Sequence, residues 1–221
     1  GATFRKHLLG KYRDRVARSS PAGFSTPIGA PNSPEMTKPN IKLPPASPAL
    51  ALALADHPAA ADAVPASQFT SAMSTLAASV TVVTARSGDS QYGRTVTAML
   101  SLSAEPPAVV VSITRDTDLA RTIDAAGRFS LSVLAEDQQS VADAFAGWGP
   151  DDRFAVDDWQ LWPSGQPLLS GAVTSLDCVL AGAIVLDTHT LYAGIVTHTR
   201  SFPDRAPLIW HRRGYKGLDQ S

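Results

Sequence analysis

The amino-acid sequence predicts a mainly β fold, a small antiparallel β-barrel with a few covering helices. Segments with strand character outnumber those with helix character, and several follow one another directly, as neighbouring antiparallel strands do. A doubly wound parallel sheet would require regular alternation of strands and helices, which this sequence lacks. The 221 residues are enough for one domain, or for one domain and a tail.

Runs of β-branched residues and alternating apolar residues predict the strands. Residues 80–84 are all β-branched, and residues 129–134 alternate in polarity. A turn at 87–90 joins the first strand to the second as a predicted hairpin. The segment 147–171 is rich in Gly, Pro, Asp and Trp and is predicted as a long loop. In chain order the predicted strands lie at 80–84, about 92–99, 108–114, 129–134, about 172–186, 190–200 and near 207–211.

Three helices are predicted. The first spans 67–77 behind a Ser67 cap, because apolar residues recur there at the spacing of one helix face. The second starts at an Asp116 or Thr117 cap and ends at Gly127. The third spans 136–146. The apolar positions that define these helices are Phe69, Met73 and Leu76 in the first, Leu119 and Ile123 in the second, and Val141 and Phe145 in the third.

Composition and charge limit the function classes. Residues 1–65 hold 8 Lys/Arg against 4 Asp/Glu (net +4), and residues 66–221 hold 11 against 16 (net −5). A mildly acidic body argues against a nucleic-acid partner. The sequence has no run of 18 or more apolar residues, so no membrane span is expected. Cys178 is the only cysteine, so neither an intrachain disulfide nor a cysteine-based metal site is expected, and no metal is predicted.

Residues 1–66 are predicted to be a disordered tail, and residues 67–221 the folded domain. The stretch 19–66 holds most of the prolines and few aromatic residues, so it can bury little apolar area, although its Ala-Leu run 49–55 could form a short helix. The basic segment 4–18 is interpreted as a solvated tail, with Met36 as an alternative start of the chain. A cytoplasmic location is expected, and organellar targeting by the basic segment stays open.

The segment 93–103 places many short hydroxyl side chains in a predicted strand. Pro106 and Pro107 then stop the strand pairing, and a second apolar strand follows at 108–114. Hydroxyl groups and free backbone N–H groups at strand ends can bind a phosphate and the polar edge of a planar heterocycle. A half-buried sheet face rich in Thr would give the same pattern without any ligand.

The segment belongs to an ordered set of motifs. In chain order the set includes Val80-Thr81-Val82-Val83-Thr84, Gly93-x-Thr95-Val96-Thr97-Ala98, Ser101-Leu102-Ser103-x-x-Pro106-Pro107, Gly127-Arg128-Phe129-Ser130-Leu131-Ser132, Asp187-Thr188-His189-x-Leu191-Tyr192-x-Gly194 and Pro207-Leu208 followed by Tyr215. This set resembles the flavin-reductase-like family, the small NAD(P)H:flavin oxidoreductases, over about 68–218.

The resemblance implies a split β-barrel of the FMN-binding type. It implies an enzyme that transfers hydride from NADH or NADPH to FMN or FAD, usually as a homodimer with the flavin near the subunit interface. A monooxygenase that receives the reduced flavin is the implied partner. The alternatives are an FMN-dependent oxidoreductase that acts on another small molecule, and a non-catalytic flavin-binding or interaction module.

The resemblance also implies the site residues. The flavin ring and ribityl chain are assigned to Thr95, Val96, Thr97 and Ala98, and the ribityl and phosphate side to Ser101, Leu102 and Ser103. Arg115, at the end of the strand segment Ser112, Ile113 and Thr114, could bind the phosphate by a charge-assisted contact. Phe154 is interpreted as part of a lid over the flavin, and Tyr215 as an aromatic residue that closes over a ring.

His189 is the predicted catalytic residue, on the nicotinamide side. Some family members have Gly-Asp-His in this motif, whereas this chain has Asp187-Thr188-His189, so the turn can differ by one residue. An isolated surface histidine is the alternative interpretation. The sequence has no Gly-x-Gly-x-x-Gly, so no Rossmann site is available for the nicotinamide dinucleotide, which must bind in the same cleft as the flavin.

Overall fold

The computed structural model of the chain describes residues 50–218. The basic segment 4–18 and the part of the predicted tail over 1–49 lie outside the described residues. The remainder of the predicted tail contains a short strand, Leu50–Leu52, and a 3-10 helix, Pro58–Asp62. The strand lies in the Ala-Leu run for which the sequence suggests a short helix. A helix of that length is marginal in water, whereas pairing with another strand provides hydrogen bonds.

The strands are numbered in chain order. Among the described residues they are β1 (Leu50–Leu52), β2 (Ala78–Ser79), β3 (Thr81–Ser87), β4 (Ser90–Val96), β5 (Met99–Ala104), β6 (Pro107–Thr114), β7 (Arg128–Val133), β8 (Trp159–Leu161), β9 (Pro167–Leu169), β10 (Thr174–Leu186), β11 (His189–Ser201), β12 (Ile209–His211) and β13 (Gly214–Lys216). The α-helices are α1 (Ala66–Met73), α2 (Asp118–Ala126) and α3 (Gln139–Asp143). A π-helical turn, Ala144–Trp148, follows α3, and a second 3-10 helix spans Arg153–Ala155.

The main sheet has eight strands, in the order β4-β3-β7-β10-β11-β6-β5, with β1 added beside β10. β1 runs parallel to β10, and the other pairs of this sheet are antiparallel. The predicted mainly β class is therefore confirmed. The two ends of the order, β4 and β5, follow one another in the sequence and are joined by Thr97 and Ala98. The chain itself thus brings the two edges of the sheet together at this connection.

Two clusters of buried apolar side chains form the core. The first lies between the main sheet and α2 and includes Val83, Val111, Ile123, Leu131 and Tyr192. The second lies beneath α3 and the π-helical turn and includes Val82, Leu134, Val141, Phe145 and Leu169. Because neighbouring residues of β3 belong to different clusters, this strand separates them, and both of its faces are buried.

The helices agree with the predictions to different degrees. Thr117 caps α2 by accepting a hydrogen bond from the Ala120 N–H, and Gly127 ends the helix with φ of +59°, as predicted. The helix predicted over 136–146 is shorter, because it changes to a π-helical turn after α3. The helix predicted behind Ser67 begins at Ala66, and Pro65 at its N-cap provides no side-chain hydrogen bond.

The apolar positions on α1 and just after it are exposed. Phe69, Met73 and Leu76 keep 55%, 44% and 58% of their surface accessible. An apolar face of this kind usually packs against another surface. This helix has no buried residue, so no part of the chain over residues 50–218 covers its apolar face.

Candidate active site

A cavity of about 350 Å³ opens where the ends of β4 and β6 meet the start of α2 and the hairpin β12–β13. Its volume falls within the range of small-molecule sites, roughly 300–1,000 Å³. The predicted site residues that line it are Thr95, Val96, Thr97, Ala98, Ser112, Ile113, Thr114, His189 and Tyr215. The topology brings them together because Thr114 pairs with His189, and the Ser112 N–H donates to the Ala98 carbonyl oxygen over 3.1 Å.

Thr95 and Thr97 present their hydroxyl groups differently. The Thr95 hydroxyl donates to the carbonyl oxygen of Ala142 in α3 over 2.7 Å, so it fastens the strand to the helix. Thr97 is exposed, and its hydroxyl has no hydrogen-bond partner among residues 50–218. Of the two, Thr97 therefore has the hydroxyl that is available to a molecule in the cavity.

The structure places Ser101, Leu102 and Ser103 away from this cavity. β5 runs antiparallel to β6, so the chain turns back from the cavity after Ala98. Ser103 pairs with Ala108, six residues before the end of β6, which corresponds to roughly 20 Å at about 3.3 Å per residue. Leu102 is 56% exposed on the same strand.

Arg115 braces a turn instead of lining the cavity. The Arg115 Nη1 donates to the carbonyl oxygen of Asp187 over 3.1 Å. The Arg115 backbone N–H donates to the carbonyl oxygen of Thr188 over 2.9 Å. On the other side of the turn, the Ala55 N–H donates to the Asp187 carboxylate over 2.9 Å. These bonds hold Asp187 in the left-handed region, with φ of +41°, and fix the residue that follows the turn, His189.

His189 stands at the first position of β11 with its side chain exposed at the cavity. Its Nδ1 lies 2.9 Å from the Thr188 hydroxyl. When that hydroxyl donates to Nδ1, the ring proton resides on Nε2, which then becomes a donor toward the cavity.

Tyr215 and Trp210 form an aromatic wall of the cavity. Their rings meet edge to face, with 5.0 Å between the centroids. The Tyr215 hydroxyl donates to the Asp143 carboxylate over 2.9 Å. Burial, and then the hydrogen bond to Asp143, raise the pKa of Tyr215 to about 12, so its hydroxyl stays protonated at physiological pH.

Phe154 belongs to an aromatic cluster beside a second cavity. Its ring lies edge to face with Phe145 and Trp159, at centroid distances of 5.1 and 5.0 Å. The second cavity has a volume of about 470 Å³ and lies between β4, the start of α2 and residues 151–154. It shares Arg94, Thr117 and Leu119 with the first cavity, so the two cavities adjoin.

Several lining residues of the first cavity were not predicted from the sequence. They are Val80, Arg94, Thr117, Leu119, Ala146, Trp148 and Trp210. Trp148, which the sequence suggests as a loop residue, is 71% exposed at the cavity. Arg94 stands inside the predicted motif, and strand alternation could have identified it, because it shares a strand face with the predicted site residue Val96. The two tryptophans give no local signal, because long-range packing alone brings them to the site.

Residues 50–218 also bear on membrane and metal binding. None of the helices within this range combines the length and apolar character needed to cross a bilayer. In the same range, His, Cys, Asp and Glu side chains do not gather in groups of three that could hold a metal ion.

The chain is similar to proteins of known activity. It is 33% identical over 150 residues to the reductase component of 4-hydroxyphenylacetate 3-monooxygenase from Thermus thermophilus, covering 68% of this chain and 95% of that protein. It is also 33% identical over 152 residues to the FMN reductase (NADH) RutF of Stutzerimonas stutzeri, covering 68% and 87%. The NADH:FAD oxidoreductase SgcE6 of Streptomyces globisporus C-1027, solved with NAD and FAD fragments, superposes with a TM-score of 0.66 at 28% identity, covering 70% and 93%.

The match to a protein family covers nearly the whole described domain. The family described as the flavin reductase like domain matches residues 73–219. This range agrees with the motif resemblance over about 68–218, which is thereby confirmed. The chain belongs to the flavin-reductase-like family.

Proposed function

We propose that this chain is an NAD(P)H-dependent flavin reductase, and that the first cavity is where the two ring systems meet. The observation that carries the proposal is the composition of the cavity wall. Apolar side chains and free hydroxyl groups converge there from strand ends, with His189 and the Tyr215–Trp210 wall also facing the space. A mostly apolar site with a few placed polar groups suits a planar heterocycle with polar edges.

The residues fit a flavin on chemical grounds. Val80, Val96, Ile113 and Leu119 provide apolar surface for the rings. The Thr97 hydroxyl and the side chains of Ser112 and Thr114 provide hydrogen-bonding groups for the ring edge and the ribityl chain. A bound flavin supplies a hydride acceptor at N5, and the nicotinamide supplies the hydride from C4.

The protein contributes orientation and exclusion of water. We assign His189 to the nicotinamide side, where Nε2 can donate a hydrogen bond to the carboxamide. Tyr215 stays fixed by Asp143 and offers a ring face or edge for stacking. Holding the two rings in one geometry makes the hydride transfer effectively unimolecular. Because no acid–base step is required, we expect this orientation to provide most of the rate enhancement.

The names of the relatives support this proposal without deciding between cofactors. RutF is named an FMN reductase that uses NADH, and SgcE6 is named for NADH and FAD. The Thermus protein is a monooxygenase component. We therefore include FMN or FAD, NADH or NADPH, and a monooxygenase that consumes the reduced flavin. A cytoplasmic setting belongs to the same proposal, and a chain with one cysteine and no intrachain disulfide is consistent with it.

A homodimer is the second part of the proposal. The exposed apolar residues Phe69, Met73 and Leu76 lie on or just after α1, and Leu100 and Leu102 lie on β5 at 53% and 56% exposure. Exposed apolar surface of this kind is typical of a protein interface. Sedimentation velocity of the full chain should give twice the chain mass of 23.2 kDa, and Phe69→Glu with Met73→Glu should shift it toward the monomer.

The decisive test of the activity is spectroscopic. The full chain should oxidise NADH or NADPH when FMN, FAD or riboflavin is added. The loss of absorbance of the reduced nicotinamide measures this oxidation. His189→Ala should raise the KM for the nicotinamide substrate more than it weakens flavin binding, and His189→Gln should restore part of it by keeping a donor near Nε2. Tight flavin binding with no nicotinamide oxidation would replace this proposal with a non-catalytic module.

A further inference from the structure

Residues 50–57 precede the family match, which begins at residue 73, and yet they pair with the sheet beside the candidate active site. β7 pairs with only the first part of β10, Thr174–Val179. β1 pairs in parallel with the last part, Ile184–Leu186, so β10 has a partner on both sides there. The segment therefore belongs to the main sheet, although the sequence predicts it as part of a tail.

The register of the strands places β1 in line with His189. Leu52 pairs with Leu186, and Leu186 pairs with His189. Because paired residues project to the same face of a sheet, these three side chains form one row. Thr114, the next residue of the row on β6, lines the first cavity. β1 and the strand that carries His189 thus flank the same end of β10.

A tight turn after β1 directs a backbone donor at Asp187. The His57 N–H donates to the Leu54 carbonyl oxygen over 3.2 Å and closes the turn 54–57. Ala55 is the second residue of this turn, and its N–H donates to the Asp187 carboxylate over 2.9 Å. Among residues 50–218, no other hydrogen-bond donor contacts that carboxylate.

We propose that residues 50–57 are a positioning segment for His189 and act through the turn Asp187–Thr188. The inference rests on the proposed function, which assigns His189 to the nicotinamide side. These two turn residues alone join β10 to β11, so the orientation of the turn sets the direction in which β11 begins. Asp187 has φ of +41°, a conformation that a non-glycine residue keeps only where other contacts support it. Ala55 provides one of these contacts from outside the family match.

The positioning segment should affect the nicotinamide and leave the flavin largely unaffected. Residues 50–57 line neither cavity, so they contact no ligand there and act only through the turn. Thr97 and Ser112, which the proposed function assigns to the flavin, have no hydrogen bond to these residues. A small misplacement of a group that orients a substrate lowers the efficiency of the reaction even when the reacting groups are intact.

Ala55→Pro in the full chain tests the proposal, because it removes the donor N–H. Proline is favoured at the second position of a tight turn, so the turn itself should persist. The KM for NADH should rise by about two- to tenfold, with the KM for the flavin unchanged. Ala66→Pro is the matched control, since Ala66 is the first residue of α1, where proline is well tolerated. Equal effects of the two proline variants would overturn the inference.

Two substitutions of Asp187 separate the carboxylate from the backbone conformation. Asp187→Gly tolerates the positive φ but has no acceptor, so it should raise the KM for NADH as Ala55→Pro does. Asp187→Asn keeps an acceptor oxygen and should stay within about twofold of the unchanged chain. A larger loss in Asp187→Asn than in Asp187→Gly would contradict the role of the Ala55 bond.

A double-mutant cycle with His189→Ala distinguishes positioning from general stabilisation. If Ala55 acts through the imidazole, Ala55→Pro should cause no further loss of kcat/KM for NADH once the imidazole is absent. A merely structural contribution would lower kcat/KM by the same factor in both backgrounds. Equal factors would therefore overturn the proposal.

Proton NMR of the His189 ring in the full chain tests the positioning without turnover. The signals are assigned by their loss in His189→Ala. Ala55→Pro should shift or broaden them and leave the signals of His211, which lies on β12, unchanged. Unmoved His189 signals in a chain that oxidises NADH briskly would overturn this inference alone. Shifted His189 signals in a chain that reduces no flavin would overturn the reductase proposal and keep the positioning segment.

Discussion

The hydroxyl of Thr95 donates to the backbone carbonyl oxygen of Ala142 over 2.7 Å, joining the wall of the candidate active site to α3. Ala142 is fully buried and Thr95 is half-buried, so this bond is shielded from solvent on the helix side. The helix in turn leads into the π-helical turn whose residues Ala146 and Trp148 line the same cavity. The cavity therefore keeps its shape through a threonine that itself has no free hydroxyl.

Thr95→Val should mainly lower stability, whereas Thr97→Val should mainly weaken flavin binding. Loss of the Thr95 hydroxyl removes a hydrogen bond to the carbonyl oxygen of a buried residue and should lower the free energy of unfolding by about 0.5–1.5 kcal/mol. Thr97 is exposed, so its substitution should leave stability within about 0.5 kcal/mol and weaken flavin binding instead. Urea unfolding and flavin fluorescence titration measure the two quantities. Equal stability losses would contradict this division.

Gly93→Ala should damage both the fold and the site. A Cβ at Gly93 would lie 2.5 Å from the Phe145 ring, which is fully buried in the aromatic cluster with Phe154 and Trp159. Moving that ring should cost about 1–3 kcal/mol of stability. Gly182→Ala is the control, since a Cβ there meets no atom within 4 Å. Thermal unfolding of both variants should show a lower Tm for Gly93→Ala only.

Stability should fall in alkaline solution. Burial is the main cause that raises the pKa of both Tyr192 and Tyr215 to about 12, from 10.0. The folded chain therefore keeps protons that the unfolded chain releases, so the free energy of unfolding decreases as pH rises from about 10 through 12. Tyr215→Phe should make this decrease shallower, and the Tyr192 contribution should remain. Urea unfolding at several pH values measures this dependence. If the free energy of unfolding falls equally steeply with pH in the Tyr215→Phe variant and in the unchanged protein, Tyr215 does not contribute.

The Cys178 thiol should react only when the chain unfolds. Burial raises its pKa to about 12, so almost no thiolate exists at neutral pH. An aromatic disulfide reagent should label the native protein slowly, at a rate set by opening of the fold, and should label one thiol per chain at once in denaturant. Fast labelling of the native protein would show that β10 opens far more readily than its buried position suggests.

Local signals explain what could be predicted from the sequence. Thr117 and Gly127 bound α2 as predicted because capping depends on residues within one turn. The cavity residues 95–98 were identified because they form one continuous motif. Trp148 and Trp210 could not be identified from the sequence. The elements that carry them, the π-helical turn after α3 and the last hairpin, reach the cavity only through tertiary packing.

Three further differences have physical causes that no motif records. The return of β5 along β6 takes Ser101 and Ser103 away from the cavity. Arg115 has carbonyl oxygens within reach at Asp187 and Thr188, so it binds backbone there. β1 gains its hydrogen bonds from Ile184–Leu186, more than a hundred residues away in the chain, which short-range propensity cannot anticipate.

The bracing of the turn before His189 has a thermodynamic consequence. Ala55 and Arg115 both bond Asp187, so the backbone that carries His189 is held in place before any ligand arrives. The loss of conformational freedom is then part of folding and does not recur at each encounter. A nicotinamide meeting this histidine would find a prearranged partner, and its residence time would be governed by contacts alone.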